Sequence, residues 1–238
     1  MLFSILSGGD IFDIIISLLL TVPIILISLS LHEAAHGYMA MKMGDRTAYN
    51  LGRVTINPAK HLDPIGSLCM LIFGYGWAKP VPINTRNFKD PKKGMAFTAI
   101  AGPVTNILLG IVGVLLYSVS IFAFSSVFMN PNTGDFLVKV VYILCTFFYN
   151  FAYMNFLFAA FNLIPVPPFD GSRFFALFIP AKTYFAMIRY ERQLMLAVLF
   201  GMMACSQFFG FSPFGWIAEK TTDSLSLLLF RLWSIIFA

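Results

Sequence analysis

Ile14-Ile15-Ile16-Ser17-Leu18-Leu19-Leu20-Thr21-Val22-Pro23-Ile24-Ile25-Leu26-Ile27-Ser28-Leu29-Ser30-Leu31 runs without a break into His32-Glu33-Ala34-Ala35-His36. The 18 residues before His32 carry no charge, which is enough apolar chain to cross a bilayer as a helix. Ionisable groups at that depth are costly and mark function by default. The stretch therefore predicts a membrane helix, from about Ile11 to Lys42, that ends in metal-binding residue types. Pro23 is tolerated in such a helix because neighbouring groups can satisfy the backbone it frees.

The rest of the chain fits that reading. Of 238 residues, 58% are hydrophobic and 11% charged, against roughly 25% charged in soluble domains. Mean hydropathy is +0.80. Further spans are expected over about Gly94–Phe124, Phe136–Ile164 and Gln193–Phe211. Ser224–Ala238 is 15 residues long and reads as a short span or an interfacial helix. Ile65–Ala78, 14 residues rich in glycine, is too short to span comfortably and predicts a re-entrant segment. Gly52–Asn57 reads as a short alternating strand, and Trp77–Asn84, with two prolines, as an edge strand or loop. The expected fold is all-α and polytopic, with about four to six transmembrane helices, a small membrane-associated β element and a re-entrant loop. One membrane-embedded domain over 1–238 is expected, with a core over about 11–173 and C-terminal helices over about 174–238. The first ten residues hold no Lys or Arg, so the first apolar segment is expected to be a retained signal anchor rather than a cleaved signal.

A net charge of +5 would suit nucleic acid or anionic lipid, but its placement points to topology. Of the 16 basic residues, 13 fall in the loops after span one, before span two and after span three. The positive-inside rule puts those loops in the cytoplasm. It places the His-Glu motif and Asp170 near the cytoplasmic ends of their helices. Cys69, Cys145 and Cys205 form no CxxC pair, and Cys145 and Cys205 lie in apolar segments. They read as small buried hydrophobes rather than ligands or disulfides.

On a helix, residues i and i+4 share a face, so His32 and His36 can turn ring nitrogens to one ion. Glu33 is rotated about 100° from His32. It is better placed as a proton acceptor for a metal-activated water than as a ligand. A catalytic zinc takes three protein ligands and keeps one position open. Asp170 is the best candidate for the third. Pro165 disfavours helix before it, and Pro165, Pro167 and Pro168 hold the chain extended so that a carboxylate can turn back between helices. As a bare pattern, Asp170-Gly171 is also an ordinary turn. His61, in a polar turn-like context, and Asp63 read as structural or membrane-surface residues.

These residues resemble the site-2 protease family of intramembrane zinc metalloproteases. His32–His36 is similar to its HExxH motif. Ala101-Gly102-Pro103 with Asn106 resembles its glycine-proline-asparagine motif. Asn162–Gly171 resembles its Asn-Pro…Asp-Gly motif, and Asn57-Pro58 and Gly74-Tyr75-Gly76 sit where the family has a membrane hairpin and loop. The likeness covers about Leu31–Arg173 and is to short forms without PDZ or CBS domains. It implies a zinc metalloendopeptidase with one zinc ion per chain. His32, His36 and Asp170 would be the ligands and Glu33 the catalytic acid/base. The substrate implied is a transmembrane protein cut within the lipid bilayer, in regulated intramembrane proteolysis. No nucleic-acid partner is expected. The setting is an integral membrane protein, in a prokaryotic cytoplasmic membrane, with its active site towards the cytoplasm. Asn106 is a candidate substrate or oxyanion donor, or equally a helix-packing amide. Other readings are a membrane metal transporter, which would need polar groups continuing through the spans, and an inactive protease-like scaffold.

Overall fold

The computed structural model describes residues 11–63, 65–66, 78–130 and 132–236. Among them the regular structure is helical: α1 (Ile11–Met43), α2 (Thr47–Asn50), α3 (Pro91–Ala123), α4 (Ser125–Met129), α5 (Asp135–Asn162), α6 (Asp170–Phe175), α7 (Ala181–Arg189), α8 (Glu191–Phe209) and α9 (Pro213–Ile236). Four of these, α1 from Ile15, α3, α5 and α8, are long and apolar enough to cross a membrane. α1 has 33 residues and rises about 50 Å at 1.5 Å per residue, well beyond a hydrocarbon core of roughly 30 Å. α5 stops at Asn162, ahead of Pro165. α9 begins well before the expected Ser224, at Pro213.

Contacts divide the chain into two units. The first holds residues up to Thr105 together with Asn162–Leu196, and the second holds Asn106–Phe161 and Ala197–Ala238. The second unit packs helix on helix. Val114, Ala152, Phe156 and Ala218 form its buried core, with Ile107, Tyr153, Leu157, Leu225 and Leu229 against it. Asp223 in α9 accepts a hydrogen bond from the Tyr149 hydroxyl at 2.9 Å.

The first unit is built differently. The described residues between α1 and α3 are mostly turns, bends and short helical turns, and polar side chains hold them. Asp45 is fully buried. Its carboxylate accepts from Asn84 N at 2.7 Å and from Asn87 Nδ2 at 2.8 Å, and from Thr47 N and Oγ1. Burial pushes the Asp45 carboxyl up, but the hydrogen bonds from Thr47, Asn87 and Asn84 prevail and hold it below the usual carboxylate range.

The expected β element is not formed among the described residues. Gly52–Asn57 is a run of turns and bends, because its polar groups are taken by side chains and local turns instead of a neighbouring strand. Arg53 points inward to the Lys79 carbonyl, the Thr55 carbonyl meets His61 Nε2 at 2.8 Å, and Asn57 N donates to Thr55 Oγ1. Of the Trp77–Asn84 expectation, Ala78 forms one isolated antiparallel bridge with Leu62, and no ladder follows. The expected re-entrant segment, with Gly74-Tyr75-Gly76, lies outside the described residues apart from its ends.

Candidate active site

His32 and His36 stand one turn apart near the end of α1, and both are buried. Their Nε2 atoms are 3.0 Å apart. Asp170 Oδ2 lies 3.2 Å from each. Among the described residues this is the cluster of His, Cys, Asp or Glu side chains able to hold one ion.

Three local features converge the donors. His36 Nδ1 lies 2.7 Å from the Thr98 carbonyl of α3. A carbonyl can only accept, so Nδ1 carries the proton and the Nε2 lone pair faces the cluster. Gly102 of α3 provides the space: a Cβ there would sit 2.5 Å from His36 Nε2 and 2.6 Å from His32 Nε2. The third feature is the turn into α6. Pro165, Pro167 and Pro168 donate no backbone hydrogen bonds, and Phe169 N closes back on Val166 O at 3.1 Å. Gly171 then lets the chain pass under Leu163, whose carbonyl would be 2.3 Å from any Cβ. Asp170, between them, starts α6 with its carboxylate on the histidines.

The donor set fits zinc. A tetrahedral site with bonds of 2.0–2.1 Å has donor–donor edges of about 3.3 Å, close to the separations of 3.0 and 3.2 Å in this triangle. Two imidazole nitrogens and one carboxylate oxygen are a catalytic-type set, and a histidine oriented by a carbonyl is the usual outer support.

Glu33 is not one of the three converging donors. Its Oε2 accepts a hydrogen bond from Val81 N at 3.0 Å. Asn106 is fully buried and lies in the second unit, where its Nδ2 donates to Asn155 Oδ1 at 2.9 Å. His61 is buried on Thr55 and takes no part in the cluster. A cavity of about 350 Å³ is walled by Pro80, Val81 and Ile83 from one segment and by Pro167, Pro168 and Arg173 from another. The first segment touches Glu33, and the second carries Asp170.

The residues that sequence reasoning missed act largely through the backbone. The Thr98 carbonyl leaves no trace in side-chain identity. Val81 leaves a faint one: between Pro80 and Pro82 it is the only residue of the three that has an N–H to give.

Comparison with known proteins places the chain in a family. Residues 20–206 match Peptidase family M50. Over 167 residues the chain is 38% identical to the Bacillus subtilis (strain 168) protein named "Putative zinc metalloprotease YwhC", covering 70% of this chain and 72% of that one. The "Putative zinc metalloprotease Rip2" of Mycolicibacterium smegmatis is 24% identical over 152 residues, 61% of this chain and 52% of its own. The "Zinc metalloprotease MJ0392" of Methanocaldococcus jannaschii is 26% identical over 159 residues, 67% of this chain and 34% of its own. No solved structure matches the chain. An apolar helix carrying HEAAH near its end, four helices long and apolar enough to cross a membrane, and a match over residues 20–206 lead to one conclusion: the chain belongs to Peptidase family M50, the site-2 protease family, and is a membrane zinc metalloprotease.

Proposed function

We propose that this metalloprotease cuts membrane-spanning segments of other proteins within or near the bilayer, using one zinc ion per chain held by His32, His36 and Asp170. The observation that carries the reading is the buried triangle of two Nε2 atoms and one carboxylate oxygen at the end of an apolar span. Zinc bound there supplies Lewis-acid polarisation and makes water acidic enough to attack near neutral pH.

The chain's own residues do the rest. Glu33, with Oε2 held by the Val81 amide, takes a proton from the attacking water through its other oxygen. As the water oxygen bonds to the scissile carbonyl carbon and the C–N bond breaks, Glu33 returns that proton to the leaving nitrogen. The Thr98 carbonyl keeps the His36 imidazole in the orientation that presents Nε2. The cavity beside Val81 and Pro167-Pro168 takes a substrate side chain next to the cut. A helical substrate shields its own peptide bonds, so the segment must unwind before Glu33 and the ligands can reach them. The distribution of basic residues puts the site on the cytoplasmic side, with regulated intramembrane proteolysis in a prokaryotic cytoplasmic membrane as the setting.

The test is Glu33→Gln in the full chain, purified in detergent with its zinc. Turnover of a membrane-spanning substrate is expected to fall by about 10²–10⁴-fold with zinc content unchanged. Turnover equal to the parent's would sink the assignment of Glu33.

A further inference from the structure

We propose that Arg53 is a positioning residue for the catalytic carboxylate, acting through the Lys79–Val81 backbone to aim the Val81 amide at Glu33. The inference rests on the reading of Glu33 given above.

Arg53 is buried, at 9% exposure. Among the described residues no carboxylate pairs with it. Its Nη2 donates to Lys79 O at 2.7 Å and reaches Pro80 O at 3.3 Å, while its Nε is buried without a hydrogen-bond partner. A buried cation without a counter-charge is expensive, and carbonyl dipoles compensate only part of that. A lysine stem or a neutral residue would close a turn more cheaply. What the guanidinium adds is a planar donor that can hold two successive carbonyls together.

Those two carbonyls determine where the next amide points. Pro80 and Pro82 have no N–H, so within 80–82 only Val81 can donate, and its N–H goes to Glu33 Oε2 at 3.0 Å. The segment is pinned on both sides. Lys79 N donates to His61 O at 2.8 Å, and Asn84 N to Asp45 at 2.7 Å. Arg53 is the tie between these pins, on the peptide units adjoining Val81. Peptide planes are rigid, so fixing the Lys79 and Pro80 carbonyls sets the direction of the Val81 N–H. One Glu33 oxygen is thereby anchored, which leaves the carboxylate a single way to present the other.

The test uses the full chain in detergent, labelled with ¹⁵N-valine, with the Val81 amide identified by its disappearance in Val81→Ile. In the parent, Glu33→Gln is expected to move the Val81 amide resonance, because a charged acceptor is replaced by a neutral one. In Arg53→Ala that response is expected to vanish, and in Arg53→Lys to return in part, with zinc content at the parent level throughout. Kinetics provide an independent arm, using a doubly labelled peptide with one apolar span as probe. Arg53→Ala is expected to lower kcat about 10- to 100-fold, the scale of a misplacement near 1 Å, with KM little changed. Combining it with Val81→Pro, which deletes the amide donor, is expected to add no more than about threefold, because both act through one contact.

A Val81 amide indifferent to Glu33 or to Arg53, or losses that multiply in the double variant, overturns the proposal. So does loss of zinc and helicity in both Arg53→Ala and Arg53→Lys, which would make the residue a structural tie only. If Glu33→Gln keeps its turnover, the functional reading of Glu33 fails, while the amide response still decides whether Arg53 aims Val81.

Discussion

The two units bury polar side chains in opposite ways. In the second unit the hydroxyls bond back along their own helices: Ser118 to Leu115 O, Ser120 to Leu116 O, Thr222 to Ala218 O and Ser226 to Thr222 O. In the first unit Ser30 and Ser172 do the same, but its buried ionisable groups reach far along the chain. His36 meets the Thr98 carbonyl, Glu33 the Val81 amide, Asp45 the Asn84 and Asn87 amides, and His32 the Asp170 carboxylate. These second-unit hydroxyls are satisfied within their own helices, as suits side chains in an apolar setting, and Asn106–Asn155, Tyr149–Asp223 and Ser118–Trp233 tie the helices to one another. The first unit spends long-range contacts on irregular backbone, which membrane proteins tolerate only where protein or a watery cavity surrounds it. Catalysis belongs in the first unit's environment, because a converging donor set of this kind draws on more than one helix.

The largest expected effect separates the units by chemistry. Asp170→Ala leaves two imidazoles 3.0 Å apart without the third donor that converges on them. Bound zinc measured by atomic absorption is expected to fall to background and turnover with it, while helical content stays at the parent level. Retention of stoichiometric zinc would break the comparison, since the long-range contact would then not be what makes the site.

Next comes the Asp45 hub, which has no counterpart among the back-bonded hydroxyls of the second unit. Its carboxyl is held below the usual range by amide and hydroxyl donors. A lowered folded-state pKa means that the ionised group contributes its full stability above the ordinary carboxylate pKa, near 4. That contribution is lost as pH falls through the lowered value. Asp45→Asn is expected to cost about 1.5–3 kcal/mol at neutral pH, the scale of hydrogen bonds to a charged group, read as a drop in the thermal midpoint. The parent midpoint should fall in acid, and the variant should lack that component of the fall.

Two glycines give a matched pair. A Cβ on Gly102 would meet the imidazoles at 2.5 Å, and one on Gly113 would meet Ala152 N at 2.8 Å. Either alanine is expected to cost about 1–3 kcal/mol by overpacking. Only Gly102→Ala should also weaken zinc retention against a chelator. If Gly113→Ala loses zinc equally, the two units are coupled more tightly than their separate hydrogen-bond patterns imply.

How far the sequence carried the reading follows from where each interaction lives. Long apolar runs made α1, α3, α5 and α8 visible, because a span must be apolar along most of its length. The three converging donors are legible because i and i+4 histidines share a face and the prolines around residue 166 end α5 before Asp170, which opens α6. α9 starts at Pro213, before the expected Ser224, because Glu219, Lys220 and Asp223 interrupt the apolar run on which that expectation rests. In the fold Asp223 is paired with Tyr149, and Ala218, Thr222 and Ser226 form a buried stripe at helical spacing. The strand expected at Gly52–Asn57 failed for a related reason. Its alternation is real, but Arg53 turns inward to carbonyls that only the folded chain brings near. The Thr98 and Val81 backbone groups have no side-chain signature at all.

The smallest expected effect concerns Asn106, which the sequence left open between substrate donor and packing amide. Its Nδ2 is committed to Asn155 Oδ1 at 2.9 Å, and Asn155 Nδ2 bonds to Phe151 O within its own helix. A packing amide and its partner should behave as one pair. Asn106→Ala and Asn155→Ala are then each expected to cost about 0.6 kcal/mol, the mean for hydrogen bonds between membrane helices. Their thermal midpoints should shift alike and their double variant should show coupling. A substrate donor would break that symmetry: Asn106→Ala would lower kcat well beyond Asn155→Ala at equal stability. Because the pair joins α3 to α5 inside the second unit, equal small effects would also show that this long-range polar contact serves packing. Long-range polar contacts that serve chemistry would then belong to the first unit alone.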